Sequence, residues 1–149
     1  MFLPEQDGVT YINAYSKGKT ELGRLLSNFA ETPFTCQHGS FRSIEGLWYW
    51  LSSPEGEREV LRDLSGFEAK KVGRSIHGQD WPKMDNFEED IKEGIRCKLK
   101  QNRKLLHMLH KSSLPIVHYY AFGYPPKVVE PQEGKWIWAY YEKLRTKLK

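Results

Sequence analysis

Between Leu25 and Trp50 (LLSNFAETPFTCQHGSFRSIEGLWYW) the chain must turn a corner, run a strand and start a helix within 26 residues. The corner is Ser27-Asn28-Phe29, and the strand-like run is Phe34 to Gln37. Ser43 suits the helix N-cap, because its short side chain can accept from the orphan amides of a first turn. Ile44, Glu45 and Gly46 then form that turn, and Leu47, Trp48, Trp50 and Leu51 form the hydrophobic body. Glu45 stands at the positive end of the helix dipole, which favours its ionised form. A carboxylate among aromatic groups suits a developing cation, such as the oxocarbenium carbon of a breaking glycosidic bond. Dipole complementarity alone also accounts for a glutamate in a first helical turn.

A chain of 149 residues is most simply one domain with a continuous core. Hydrophobic residues make up 39%, and five Trp, eight Tyr and seven Phe set it apart from disordered chains. Mean hydropathy is −0.67, and no apolar run approaches the ~20 residues of a membrane span. The beginning MFLPEQDGVTY lacks a basic region followed by an apolar segment, as a secretory signal would have. Cys36 and Cys97 lie far apart with no CxxC pair, which fits buried thiols in a reducing cytoplasm. The net charge of +4 is compatible with an anionic ligand, whether nucleotide, dinucleotide or nucleic acid.

VTYINAY, residues 9 to 15, reads as an early strand, and Ser16 to Arg24 as a loop leading into the corner. Phe41-Arg42 reads as a second short strand. SSPEGE reads as a helix start with Ser53 as cap and Pro54 in the first turn, and Val60, Leu61 and Leu64 as the buried face. FEAKKVGRS, from Phe67, reads as a short helix, with Gly73 either its end or a point of close backbone approach. His77 to Asp85 is a loop bearing Trp81. Phe87, Ile91, Ile95 and Leu99 recur every four residues behind the candidate cap Asn86; acids open this longest helix, and Arg96, Lys98 and Lys100 close it. Asn102 to Lys111 continues helical, Leu114 to Tyr120 is strand-like, and Gly123 to Pro126 breaks it. Trp136, Tyr140, Leu144 and Leu148 give a terminal amphipathic helix.

His107 and His110 share a helix face, but no third metal ligand is signposted. Neither a nucleophile triad, nor GxGxxG, nor a Walker loop is present. Basic and aromatic residues interleave as in nucleic-acid modules, yet no recognised binding pattern appears, and helical spacing assigns most aromatics to the core. A pocket reading remains. Trp48, Trp81 and Phe29 can stack a flat ring; Lys70, Lys71 and Arg74 can hold phosphates; Ser27 and Asn28 can bind ribose hydroxyls or a base edge.

LSNFAETPF followed by Ser43-x-Glu45 resembles the opening signature of the NADAR, or YbiA-like, family. AKKVGRS with Asp80-Trp81 resembles its second motif, and IKEGIRCKLKQN its later helix. These matches are in order and span roughly residues 10 to 118. The resemblance implies an α+β fold, a single compact domain with several helices around a small sheet. It also implies a cytoplasmic N-glycosidase that needs no metal or other cofactor and acts on an ADP-ribose- or nucleotide-type substrate, such as ADP-ribosylated guanine in DNA or a ribosylaminopyrimidine phosphate. The family's motif glutamate falls on Glu45, the expected catalytic carboxylate, its corner asparagine on Asn28, its Lys/Gly-Arg segment on Lys70 to Arg74 and its tryptophan on Trp81. With Ser27, Phe29 and Trp48 of the pocket reading and Ser43 of the motif, these are the candidate substrate-binding residues. The C-terminal third departs from the family pattern: Pro115-Ile116-Val117-His118 places a histidine where an acid is expected. His118 is therefore a candidate catalytic replacement, since imidazole titrates near neutrality. The competing expectations are a non-catalytic binder or sensor of NAD- or ADP-ribose-like ligands, and a basic nucleic-acid-binding protein.

Overall fold

A computed structural model describes residues 1–77 and 85–149. In chain order the elements are β1 (Ile12–Asn13), α1 (Glu21–Leu26), β2 (Phe34–Cys36), β3 (Gly39–Phe41), α2 (Ile44–Trp50), α3 (Gly66–His77), α4 (Phe87–Gln101), α5 (Arg103–Lys111), β4 (Ile116–Val117), β5 (Tyr120–Phe122), β6 (Lys127–Val129) and α6 (Lys135–Lys147). This is the α+β class read from the sequence, with the strands of the described residues distributed over three two-stranded ladders. The chain forms two compact units, residues 28–103 and residues 1–27 with 104–149.

In the unit of residues 28–103, β2 and β3 pair antiparallel as Phe34 with Phe41, Thr35 with Ser40 and Cys36 with Gly39. The period of two sends Phe34 and Phe41 inward, where their rings stack at 6.0 Å, and leaves Thr35 and Ser40 outward with hydroxyls 2.8 Å apart. Gln37 and His38 make the two-residue connection, and Gly39 supplies the left-handed φ of +103° that it needs. Side chains of α4 cover the open edge of β2: Gln101 both accepts from Thr35 N and donates to Thr35 O, at 2.8 Å each. Glu93 accepts from Gln37 N at 3.3 Å. Otherwise unpaired strand groups are thereby satisfied.

The predicted stripe of α4 is the observed one, with Phe87 6% exposed and Ile91, Ile95 and Leu99 fully buried. Asn86 stands at the cap position, but in a left-handed conformation and without a side-chain cap bond. Lys98, read as one of the basic residues that close this helix, is fully buried, and burial drives its pKa down to about 7. An unfolded chain holds the ammonium proton up to about pH 10.4, so wild-type stability should rise with pH between about 7 and 10. Lys98→Met is accordingly expected to raise Tm at pH 7 by several degrees and to flatten that rise, which thermal unfolding at pH 7 and 9.5 will measure.

The predicted helix at Ser53 does not form. Its hydroxyl donates backward to Tyr49 O at 2.6 Å, and that of Ser52 to Trp48 O at 3.2 Å, so both serve the end of α2 rather than start a new helix. A 3-10 segment, Glu59–Asp63, follows instead; it buries Leu61 but leaves Val60 51% exposed.

In the other unit, β1 pairs parallel with β4, Ile12 with Ile116 and Asn13 with Val117, while β5 and β6 form an antiparallel hairpin. The expected early strand is thus cut to two residues. Part of the expected loop from Ser16 is helix α1, capped by Thr20, whose hydroxyl accepts from Gly23 N at 2.9 Å. A Cβ at Gly23 would lie 2.3 Å from Asn13 O, so glycine lets α1 seat against β1. Asn13, 2% exposed, bonds the backbone of Tyr119 through both amide atoms. Helix α6 buries Ile137, Trp138, Tyr141 and Leu144 instead of the predicted stripe led by Trp136 and Tyr140. Its register is set by Glu142, which accepts from Ile116 N, and by Arg145, which donates to Leu114 O.

Candidate functional site

Helix α2 is the element on which the site is built. Ser43 caps it as predicted: the hydroxyl accepts from Gly46 N and donates to Leu64 O, each at 3.0 Å. That double commitment leaves Ser43 completely buried, so it positions α2 and offers no surface to a substrate. Two further backbone bonds fasten the corner, from Glu45 N to Asn28 O and from Gly66 N to Phe29 O, both 2.9 Å. Asn28-Phe29, the start of α2 and the start of α3 therefore meet.

Close approach of α3 to α2 is made by Gly73, where a Cβ would stand 2.2 Å from Tyr49 Cγ. Gly46 likewise lies against the 3-10 segment, a Cβ there coming within 2.6 Å of Leu61 O. On α3, Lys70 lies three residues before Gly73 and Arg74 directly after it, so the two cations sit i,i+4 to each other on a shared face.

Glu45 is half-buried, and its pKa is pushed from the ordinary 4.5 up to about 7. Burial is the largest cause; the charges of Lys70 and then Arg74 pull in the opposite direction. The dipole of a seven-residue helix, which led to the expectation of a stably ionised carboxylate, is outweighed by desolvation. Near neutrality the group is present in both protonation states, as acid–base chemistry requires. Beside it, Asn28 Oδ1 is buried and meets no hydrogen-bond partner among the described residues, which is costly unless a ligand donor reaches it.

Of the other predicted residues, Phe29 and Lys70 are half-buried and Arg74 and Lys71 exposed, in the same unit as Glu45. Trp48 is half-buried and packs edge-on against Phe87, with centroids 4.7 Å apart. Trp81 lies outside the described residues. Ser27 and His118 belong to the other unit. Ser27, 5% exposed, closes α1 with a backbone bond to Gly23 O. His118 Nδ1 donates to Ala14 O at 2.7 Å, leaving the lone pair on Nε2, and its ring stands 4.9 Å from Trp138 and 5.1 Å from Tyr120. Burial lowers its pKa, so it is a neutral base at pH 7.

Among the described residues, no group of three or more His, Cys, Asp or Glu is arranged to hold a metal ion. The Cys97 thiol donates to Glu93 at 3.0 Å and is pushed up to about 12, chiefly by burial, which disfavours thiolate chemistry. None of the described helices is long and apolar enough to cross a membrane. Sequence reading missed the acid–base poise of Glu45, because its burial is created by tertiary packing; Gly46 and Gly73 were the signal that could have suggested it.

These elements define a protein of the YbiA-like, NADAR-type α+β fold, so the resemblance drawn from motifs extends to the architecture. Among solved structures, the chain is similar to the NMR structure of Escherichia coli YbiA, with a TM-score of 0.67 over 99% of this chain and 93% of that one, at 18% identity. No family model matches the sequence, and no curated protein does.

Proposed function

We propose that this chain is a cytoplasmic N-glycosidase that hydrolyses the base–ribose bond of an ADP-ribose- or nucleotide-type substrate. The carrying observation is the Glu45 carboxyl, poised at about 7 with Lys70 and Arg74 near it. Ionised, Glu45 stabilises positive charge developing at the anomeric carbon or takes a proton from the attacking water. The two cations meet the substrate's phosphates and hold them by charge-assisted hydrogen bonds. Asn28 Oδ1 accepts from a ribose hydroxyl or an amino group on the base, satisfying an acceptor that is otherwise buried alone. The ordered motifs around Asn28, Glu45 and Lys70 to Arg74 support the same reading.

Mass spectrometry of products tests it. The protein and Glu45→Gln are incubated separately with ADP-ribosylated guanine-containing DNA, NAD and a ribosylaminopyrimidine phosphate. Release of a free base or of ADP-ribose by wild type alone is the expected result, and it identifies the substrate class. No product, combined with a ligand-dependent rise in Tm, would convert the reading to a non-catalytic binder of the same ligands.

A further inference from the structure

Within the unit of residues 28–103, a cavity of about 260 Å³ opens between the β2–β3 hairpin and the 3-10 segment. It shares no lining residue with the cluster at Glu45. Its chemistry is dominated by donors. Arg42 and Arg62 both line it, and each guanidinium carries five N–H groups. Arg42 uses one on Asp63 O at 3.2 Å and one on Glu31 at 3.0 Å. Arg62 uses one on Glu59 at 2.6 Å and a long one on Ser40 O at 3.4 Å. Most of the donors of each guanidinium therefore stay uncommitted among the described residues. Thr35 and Ser40 share one hydrogen bond between their hydroxyls, which leaves the second hydroxyl proton available. The Gln101 amide gives one of its two protons to Thr35 O and keeps the other.

Arg62 is held in place in advance. Its guanidinium lies 4.7 Å from the Phe41 ring centroid and 4.9 Å from that of Trp50. Gly39 makes room for it: a Cβ there would come within 2.6 Å of Arg62 Nη1. A guanidinium fixed on two rings loses little freedom when an anion arrives. Glu31 and Glu59 each engage one guanidinium without lining the cavity, and Asp63 is the acidic residue in its lining. A ligand fitting this set presents an anion to the arginines and a hydroxyl to Asp63. The volume is below the roughly 300–1,000 Å³ of drug-sized pockets, so the ligand is compact.

We infer that this cavity is a second binding site, distinct from the one at Glu45, for a small phosphomonoester whose organic half carries a hydroxyl. Bidentate N–H···O bonds from Arg42 and Arg62 would hold the phosphate, with the Thr35–Ser40 hydroxyls and the Gln101 amide closing over it.

The test is a ¹H–¹⁵N titration, including arginine Nε–H signals, with glycerol 3-phosphate and orthophosphate, beside glycerol and potassium chloride at matched ionic strength. Saturable shifts at Arg42, Arg62, Ser40 and Gln101 are expected with glycerol 3-phosphate, and weaker ones with orthophosphate. Arg42→Gln, at an exposed position, should weaken binding about tenfold or more. Arg62→Gln should do the same where its spectrum remains folded, and Glu45→Gln should leave the binding unchanged. Shifts equal to those from potassium chloride, or binding unaltered by Arg42→Gln, would overturn the site while leaving the reading of Glu45 untouched.

Discussion

Glu45→Gln is expected to remove turnover and, at pH 8, to make the protein more stable. Loss of an acid–base group typically lowers the rate about 10²- to 10⁴-fold. The stability effect follows from the folded-state pKa of about 7 against an ordinary 4.5. Between these values the folded protein holds a proton that the unfolded chain has released, so wild-type stability falls as pH rises through this window and levels off above 7. At about 1.36 kcal/mol per unit, discounted for the partial exposure of Glu45, the penalty above pH 7 is roughly 2 kcal/mol. Glutamine carries no such penalty. Urea unfolding of both proteins at pH 4 and pH 8 should show near equality at pH 4 and a more stable variant at pH 8. Equal stabilities at both pH values would mean that the carboxylate is not held in a desolvating site.

Gly73→Ala is expected to damage fold and site together. The added methyl would lie 2.2 Å from Cγ and 2.5 Å from Cδ1 of Tyr49, a ring only 6% exposed. Overpacking of this kind costs about 1–3 kcal/mol, and the relief available is for α3 to retreat from α2. Lys70 and Arg74 ride on α3, so the retreat takes both cations away from Glu45. Chemical denaturation should show the destabilisation, and ligand affinity should fall more than a change remote from the site could explain. Gly56→Ala is the matched control: its Cβ would meet nothing within 4 Å, so it should change stability by no more than about 0.5 kcal/mol. If the two variants behave alike, the α2–α3 contact does not position the cations.

What the sequence disclosed was local. Ser43 announces α2 because an N-cap is a property of three neighbouring residues, and the Phe87–Leu99 stripe announces α4 because four-residue spacing survives any packing. The strand at Phe34 is legible as well, whereas the second strand, read at Phe41-Arg42, runs Gly39–Phe41 instead. Failures occur where distant partners decide. Ser53 has every local mark of a cap, yet its hydroxyl finds Tyr49 O behind it. The face of α6 is chosen by bonds from Glu142 and Arg145 to residues 114 and 116, which a helical wheel does not contain. Lys98 looks like a helix-end cation until α4 is placed with that face inward. At the site, the motif residues around Glu45 were legible, but their electrostatics were not. A dipole argument from seven residues favours the ion, whereas the burial created by α2, α3 and the corner favours the acid.

The most direct test of this account is the titration of the Glu45 carboxyl carbon, followed by ¹³C NMR and assigned by its disappearance in Glu45→Gln. A midpoint near pH 7, moving higher in Lys70→Met as a neighbouring cation is lost, is the predicted result. A midpoint near 4.5 that ignores Lys70→Met would contradict it, because Glu45 would then be an ordinary solvated helix-start carboxylate.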